Sequence, residues 1–338
     1  MDVVEPPMVV AGDGSDRRPS LKHRLEYAAL VAVLALARCV SVERLAAIGA
    51  VLMRAVGPRL RQNRRALSNL AIAFPEKSES ERSRIARAMW ANMGRTFAET
   101  LVLDRLLADP NRIRIVDRDA WASRAEEPGP IVGCTLHMGN WELAIRPFGI
   151  FGRPPTGVYK PLDNPLIDAW LKETRGALFP GGLLAKGDRE DSDGSGQRTA
   201  RRLIDRARSG GTLGFVVDHF DRRGEPLPFL GRTSRFTTAP AGIARHLGAR
   251  VWLGRCLRVG ETSRFVYEIR EVAVDRTKDK KADATALMAE IFAVFGEWIR
   301  EHPEQWMWWN TRFMEGMGSE AAAGRPAREA PACSAPAV

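Results

Sequence analysis

The chain has 338 residues, a formal net charge of +10, 45% hydrophobic residues and 27% charged residues. These values exclude a wholly disordered chain and a multi-span membrane protein, and at about 150 residues per domain they leave room for one large domain or two modest ones. The positive balance points to anionic partners: nucleic acid, an acidic carrier protein or anionic lipid head groups.

Residues 1–20 carry Pro, Gly, Asp and Ser without periodicity and read as a flexible tail. A helical region is expected over 21–106. Its first apolar run, 27–37, holds eleven residues, about 16 Å of helix against a hydrocarbon core of about 30 Å. Over 27–48, nine Leu, Ile and Val residues favour insertion by about 3–5 kcal/mol, while Arg38, Glu43 and Arg44 oppose it by about 7–10 kcal/mol. The segment is therefore expected to lie in a membrane interface rather than to span it. The polar-rich stretch before it, and the lack of a small-residue cleavage site after it, do not fit a standard signal peptide. Arg54, Arg59, Arg61, Arg64 and Arg65 follow, as either a solvated face or a basic collar toward anionic lipid. Beyond Pro75, Ser78 and Glu81 spell a capping box. Ile85, Met89, Met93, Phe97 and Leu101 then recur every four residues, which predicts a helix that buries one stripe.

From about 113 the texture changes to strands alternating with helices. Strands are predicted at 131–137, 156–160, 212–218, 249–259 and 264–274, and helices at 141–150, 165–178, 198–209, 238–247 and 282–301. The last helix puts Leu287, Met288, Ile291, Phe292, Phe295, Trp298 and Ile299 on one face. Such alternation predicts an α/β fold, a sheet with helices packed on it. Residues 319–338 read as a second flexible tail, and no internal repeat is visible. The expected organisation is a tail (1–20), a helical membrane-associated region (21–106), an α/β catalytic region (107–318) forming one domain with those helices, and a tail (319–338).

Cys39, Cys134, Cys256 and Cys333 lie far apart, with no CxxC pair and no His at zinc spacing. That pattern argues against a disulfide framework or structural metal and for a reducing compartment.

The most informative stretch is His137-Met138-Gly139-Asn140-Trp141-Glu142. An apolar strand delivers His137 to its carboxyl end, where α/β folds place ligands. Gly139 permits a tight turn, and a helix is expected from Asn140 or Trp141. On one continuous helix His137 and Glu142 would stand about 140° apart; a turn between them instead lets Glu142 fold back toward the imidazole. A carboxylate on one ring nitrogen fixes the tautomer and leaves the other free to take a proton, as a general base requires. The plainer reading is a structural histidine with its hydrogen bonds satisfied. No GxSxG elbow, Walker loop, HExxH or GxGxxG is present, so serine hydrolases, P-loop NTPases, zincins and dinucleotide enzymes lack their main signature.

HMGNWE is similar to the His-x4-acid motif of the glycerolipid acyltransferase superfamily, and its HxxNWE form resembles the lipid A biosynthesis lauroyl/myristoyl acyltransferase branch. Other pieces resemble that branch in order: NLAIAFPE (69–76), ERSRIARAMWANMGRTFAE (81–99), YKPLDNPLID (159–168), GGTLGFVVDHF (210–220), LPFLG (227–231), TTAPAGIARHLGA (237–249) and HPEQWMWWNTRF (302–313). Lys160 stands where the branch usually has Arg, and Asn310-Thr311 where His-Arg is common.

The resemblance implies a mixed sheet flanked by helices, with an N-terminal membrane-contacting helix. It implies transfer of an acyl chain from an acyl-carrier-protein thioester to a hydroxyl of a lipid A precursor, at the cytoplasmic face of a cell inner membrane, with no cofactor, metal or covalent acyl-enzyme. His137 would deprotonate the acceptor and Glu142 would orient His137. Asn140, Trp141, Tyr159 and Lys160 would contribute to substrate binding, as would Asp218 and His219 at a strand's carboxyl end. A lysophospholipid, another glycolipid or an aminolipid are alternative acceptors.

Several features carry two readings each. Asp218 and His219 could simply stabilise a loop, and with Asp221 they are too few to complete a metal site. Lys186, Arg189 and Arg255 could hold phosphates or the carrier's acidic surface, or be surface charges. Trp306, Trp308 and Trp309 could form an interfacial belt or pack in the core. A non-catalytic basic protein binding nucleic acid or membrane is the rival class, but no helix-turn-helix, zinc finger or RNP motif supports a nucleic-acid partner.

Overall fold

In a computed structural model the described residues are 19–185 and 195–314, with the side chains of 195–198 excepted. Both expected tails, apart from Pro19 and Ser20, lie outside them, as do Lys186 and Arg189. The helical region consists of α1 (Leu21–Arg38), α2 (Val42–Val56), α3 (Arg61–Ala73), α4 (Glu79–Thr100) and α5 (Leu103–Ala108). Then come β1 (Ile113–Ile115), α6 (Arg118–Glu126), β2 (Ile131–Thr135), α7 (Arg146–Ile150), β3 (Pro155–Tyr159), α8 (Pro165–Gly176), β4 (Gly182–Ala185) and α9 (Ser195–Arg208). The chain continues through β5 (Thr212–Val216), β6 (Glu225–Phe229), β7 (Arg232–Phe236), α10 (Ala239–Leu247), β8 (Arg250–Arg258), β9 (Phe265–Val272) and α11 (Lys280–Glu301).

Among the described residues the main sheet has seven strands in the order β1-β9-β8-β2-β5-β3-β4. All neighbours are parallel except β8 and β9, so the sheet is mixed, as expected. The carboxyl ends of β2, β5, β3 and β4 therefore open on one edge. β6 and β7 form a separate antiparallel hairpin. Every predicted strand is present within one or two residues. The segment 141–150 differs from the single predicted helix: it is a 3₁₀ turn over Trp141–Ile145 followed by α7. Pro147 sits in the first turn of α7, where its missing N–H costs nothing.

The capping box at Ser78 forms as read: the Ser78 hydroxyl accepts from the Glu81 N–H, and the Glu81 carboxylate accepts from the Ser78 N–H at 2.8 Å. The single-stripe expectation for this helix is corrected. Residues Met89–Thr96, Ala98 and Glu99 are all buried, whereas Phe97 is 49% exposed. The reason is position: α4 lies between α2, α3, the loop after β2 and the chain's last segment, so its second half is covered on nearly every side. Leu70, Met89 and Trp90 from α3 and α4 pack in the same apolar cluster as Val132, Leu253, Ile291 and Phe292. Among the described residues no helix is long and apolar enough to cross a membrane.

α2 and α4 meet backbone to backbone. A Cβ on Gly49 would sit 2.3 Å from the Gly94 carbonyl oxygen, and one on Gly94 would sit 2.0 Å from the Gly49 oxygen. Neither backbone can yield without separating the helices. Gly94→Ala should destabilise the protein by about 1–3 kcal/mol through overpacking, read as a lower denaturant midpoint at unchanged slope; an unchanged midpoint would mean the helices part freely.

Candidate active site

The central pair follows from parallel register. β2 and β5 align Thr135 with Val216, so two residues beyond each strand His137 meets Asp218. Asp218 Oδ1 lies 2.7 Å from His137 Nδ1, and Oδ2 accepts from the His137 backbone N–H at 2.9 Å and from the Trp306 indole at 2.8 Å. Asp218 is fully buried. Burial pulls its carboxyl upward, but the His137 charge and the hydrogen bonds from the His137 ring, Trp306 and the His137 backbone outweigh it and hold the carboxyl below its usual value. An ionised carboxylate only accepts, so Nδ1 carries the ring proton and Nε2 presents its lone pair. Asn310 Nδ2 lies 3.0 Å from Nδ1 and 3.3 Å from the Asp218 carbonyl oxygen, which takes its proton. His137 is partly exposed and its ring tilts against Trp141 at 5.5 Å.

The hydrogen bond expected between Glu142 and the imidazole is therefore corrected, because Asp218 occupies that place. Glu142 instead forms a two-pronged ion pair with Arg175, with Nε–Oε2 at 2.7 Å and Nη2–Oε1 at 2.5 Å. The cause is local: the 3₁₀ turn starting at Trp141 delivers Glu142 to the last turn of α8. Arg175, Trp306 and Asn310 are participants that the sequence reading did not assign. For Asp218 the legible signal was a second apolar strand ending in a charged residue.

A buried network fixes the loop after β2. Both Glu99 oxygens are held twice: by Arg258 Nη1 and the Ser263 hydroxyl on one side, and by Arg258 Nη2 and the Asn140 amide on the other. Arg258 uses its other N–H groups on Asn92 Oδ1, the Thr262 carbonyl and Thr96 Oγ1. The Gly139 carbonyl accepts from Asn92 at 2.9 Å and Thr96 at 3.1 Å, and the Gly139 N–H donates to the Gln305 carbonyl at 2.9 Å. Gly139 has φ +59°, and a Cβ there would lie 1.9 Å from the Cys256 carbonyl oxygen, so only glycine fits.

The other expected residues divide. Asn140 is 1% exposed and serves Glu99, which corrects its placement as a substrate contact. Arg255 is corrected too: it is buried, paired with Glu268 and Glu301, and stacked 5.0 Å from Trp298. Tyr159 donates to Asp168 at 3.0 Å; burial and that bond push its hydroxyl up to about 12. Lys160 is exposed at the carboxyl end of β3, on the site's edge of the sheet. His219 is exposed and bonds Asn310 Oδ1 at 2.7 Å. Trp306 and Trp308 are fully buried, so they belong to the core rather than to an interfacial belt.

A His whose Nδ1 is held by a buried carboxylate at the carboxyl edge of an α/β sheet can take a proton from a hydroxyl at Nε2. Comparison with known proteins gives the family. The chain belongs to the bacterial lipid A biosynthesis acyltransferase family, whose profile it matches over residues 16–315, and it is an acyltransferase. It is 29% identical over 257 residues to the lipid A biosynthesis lauroyltransferase of Escherichia coli (strain K12), covering 72% of this chain and 76% of that one. It is 27% identical over 252 residues to the lipid A biosynthesis acyltransferase of Haemophilus influenzae (strain ATCC 51907 / DSM 11121 / KW20 / Rd), covering 72% and 75%.

Two outcomes check this geometry. Glu99→Gln leaves Arg258 buried without its counter-charge and should cost about 3–5 kcal/mol in chemical denaturation; a loss below about 1 kcal/mol would contradict the network's role. Asp218→Asn should lower the melting temperature at neutral pH. Because the folded carboxyl titrates below its ordinary 3.8, its stabilisation is complete above that pH and vanishes as pH falls through the folded value. Melts of both proteins in an acid series should therefore converge, and a constant gap would refute the linkage.

Proposed function

We propose that the enzyme moves a fatty acyl chain from an acyl-carrier-protein thioester to a hydroxyl of a lipid A precursor, with His137 as general base. The observation that carries this reading is the Asp218–His137 pair, which commits Nδ1 and leaves Nε2 for the acceptor. The acceptor hydroxyl gives its proton to Nε2 as its oxygen attacks the thioester carbonyl. The tetrahedral intermediate collapses, the C–S bond breaks, and the leaving thiolate takes the proton from the imidazolium. Asp218 stabilises that imidazolium and keeps the tautomer fixed. No acyl-enzyme forms. Glu142, locked by Arg175, positions the turn that carries Trp141 beside the base.

The donor reading comes from the resemblance to the lipid A acyltransferases, and a net charge of +10 is compatible with an acidic carrier. The E. coli relative is named a lauroyltransferase, so a lauroyl thioester is the first donor to offer. Membrane contact at a cytoplasmic inner-membrane face fits the exposed Ile48, Val51, Leu52 and Val56, one face of α2 at helical spacing, together with exposed Leu25, Val31 and Leu36 on α1.

His137→Ala should lower transfer about 10²- to 10⁴-fold while leaving the melting transition in place. The assay offers acyl-carrier-protein thioesters and a lipid A precursor, with products read by mass spectrometry. Wild-type turnover by the variant would overturn the mechanism.

A further inference from the structure

A cleft of about 410 Å³ lies between α3, the start of β7 and the chain's last described segment, lined by Arg65, Asn69, Arg232, Arg312 and Phe313. Its three arginines are exposed, and among the described residues none is ion-paired with a carboxylate. What sets these three apart is that they line one cleft together. Like charges collect here: partial burial and the nearby Arg312 charge lower the Arg65 guanidinium below its usual value. The seat is fixed on each side. The Arg312 guanidinium lies over the Phe220 ring at 5.7 Å. Arg65 reaches the Trp309 carbonyl, and Asn69 donates to the carbonyls of Trp308 at 2.7 Å and Thr311 at 3.1 Å.

The cleft adjoins the catalytic pair through the chain itself. Arg312 follows Asn310, whose amide lies 3.0 Å from His137 Nδ1, by two residues. Phe220 follows Asp218 by two residues. Two residues of extended chain span at most about 7 Å. The same two short segments, 218–220 and 310–312, thus serve both the catalytic pair and the seat of Arg312. Unneutralised guanidiniums in a fixed arrangement recognise phosphate oxygens by charge-assisted, two-pronged hydrogen bonds.

We propose that Arg65, Arg232 and Arg312 form a subsite for a phosphate of the acceptor glycolipid, holding it while the acceptor hydroxyl meets His137. The subsite rests on the acyl-transfer reading for the identity of its ligand and on the arginine cleft for its chemistry.

The test uses the full chain and vesicles containing a lipid A precursor, either with its phosphates or after phosphatase treatment, and compares wild type with Arg232→Ala/Arg312→Ala. Wild type should bind the phosphorylated precursor, and use it in transfer (as kcat/KM), about 10- to 100-fold better than the dephosphorylated one. In the double variant that ratio should collapse toward one, with an unchanged melting temperature because both side chains are exposed. A ratio that survives in the double variant overturns the subsite. So does an equal loss of binding to phosphatidylglycerol vesicles lacking the precursor, which would make the arginines a general contact for lipid phosphate. Selective binding by wild type without any acyl transfer would overturn the proposed donor and mechanism and leave the phosphate subsite standing.

Discussion

The ion pair between Glu99 and Arg258 is the constraint on which the rest of the site depends. Both groups are nearly or wholly buried. An ionised pair in that environment is tolerable only if attraction and further hydrogen bonds replace the lost hydration. Here each Glu99 oxygen is held by two donors, and all five Arg258 N–H groups have partners. Because these partners come from α4, the loop after β2 and the loop after β8, satisfying one charge pair fixes three segments at once. Gln305 adds a fourth: its side chain exchanges hydrogen bonds with the Arg258 backbone, and its carbonyl takes the Gly139 N–H. The loop that carries the base is thus pinned from below by α4 and from the side by the chain's last segment.

Above that floor the reactive geometry comes from sheet register. Parallel pairing of β2 and β5 leaves no freedom in which residue faces His137, and it selects Asp218. Trp306 and the His137 backbone then satisfy the second carboxylate oxygen, so the charge is fixed in one orientation. Glu142 can be spared for Arg175 because the imidazole already has its partner. Asp218 and Glu142 consequently divide their roles: one holds the ring, and the other ties the turn after the base to α8. Electrostatic contrast follows the same division. The Glu99 and Arg258 charges are paired and buried, whereas the Arg65, Arg232 and Arg312 charges are exposed and line one cleft.

Elements with a strong period were legible from residues alone. The apolar runs at 131–137 and 212–218, the long alternating segments at 249–259 and 264–274 and the apolar face of 282–301 all appear as strands or helix. The capping box placed the start of α4 to the residue. Shorter pieces carried no such signal. β1 has three residues and β4 four, and β6 contains two prolines, which belong on an unpaired edge rather than in a recognisable strand. Periodicity also misjudged α4, because the second half of the helix is covered on nearly every side and buries polar residues such as Asn92 and Thr96 that a one-stripe pattern assigns to solvent.

By itself the sequence determined the α/β class, the strand that delivers His137, the glycine that turns the chain after it, and, through its ordered segments, the acyltransferase family. Those are local or serial properties, set by hydropathy, backbone freedom and residue order. Only the tertiary structure decided which carboxylate serves the imidazole, that Asn140 and Arg255 are structural, that the tryptophans near 306 are core, and that arginines from 65, 232 and 312 share one cleft. Each of those depends on residues tens to hundreds of positions apart being brought into contact by strand register and helix packing. A five-residue spacing in the sequence suggested Glu142, but an 81-residue separation bridged by parallel strands gave the place to Asp218.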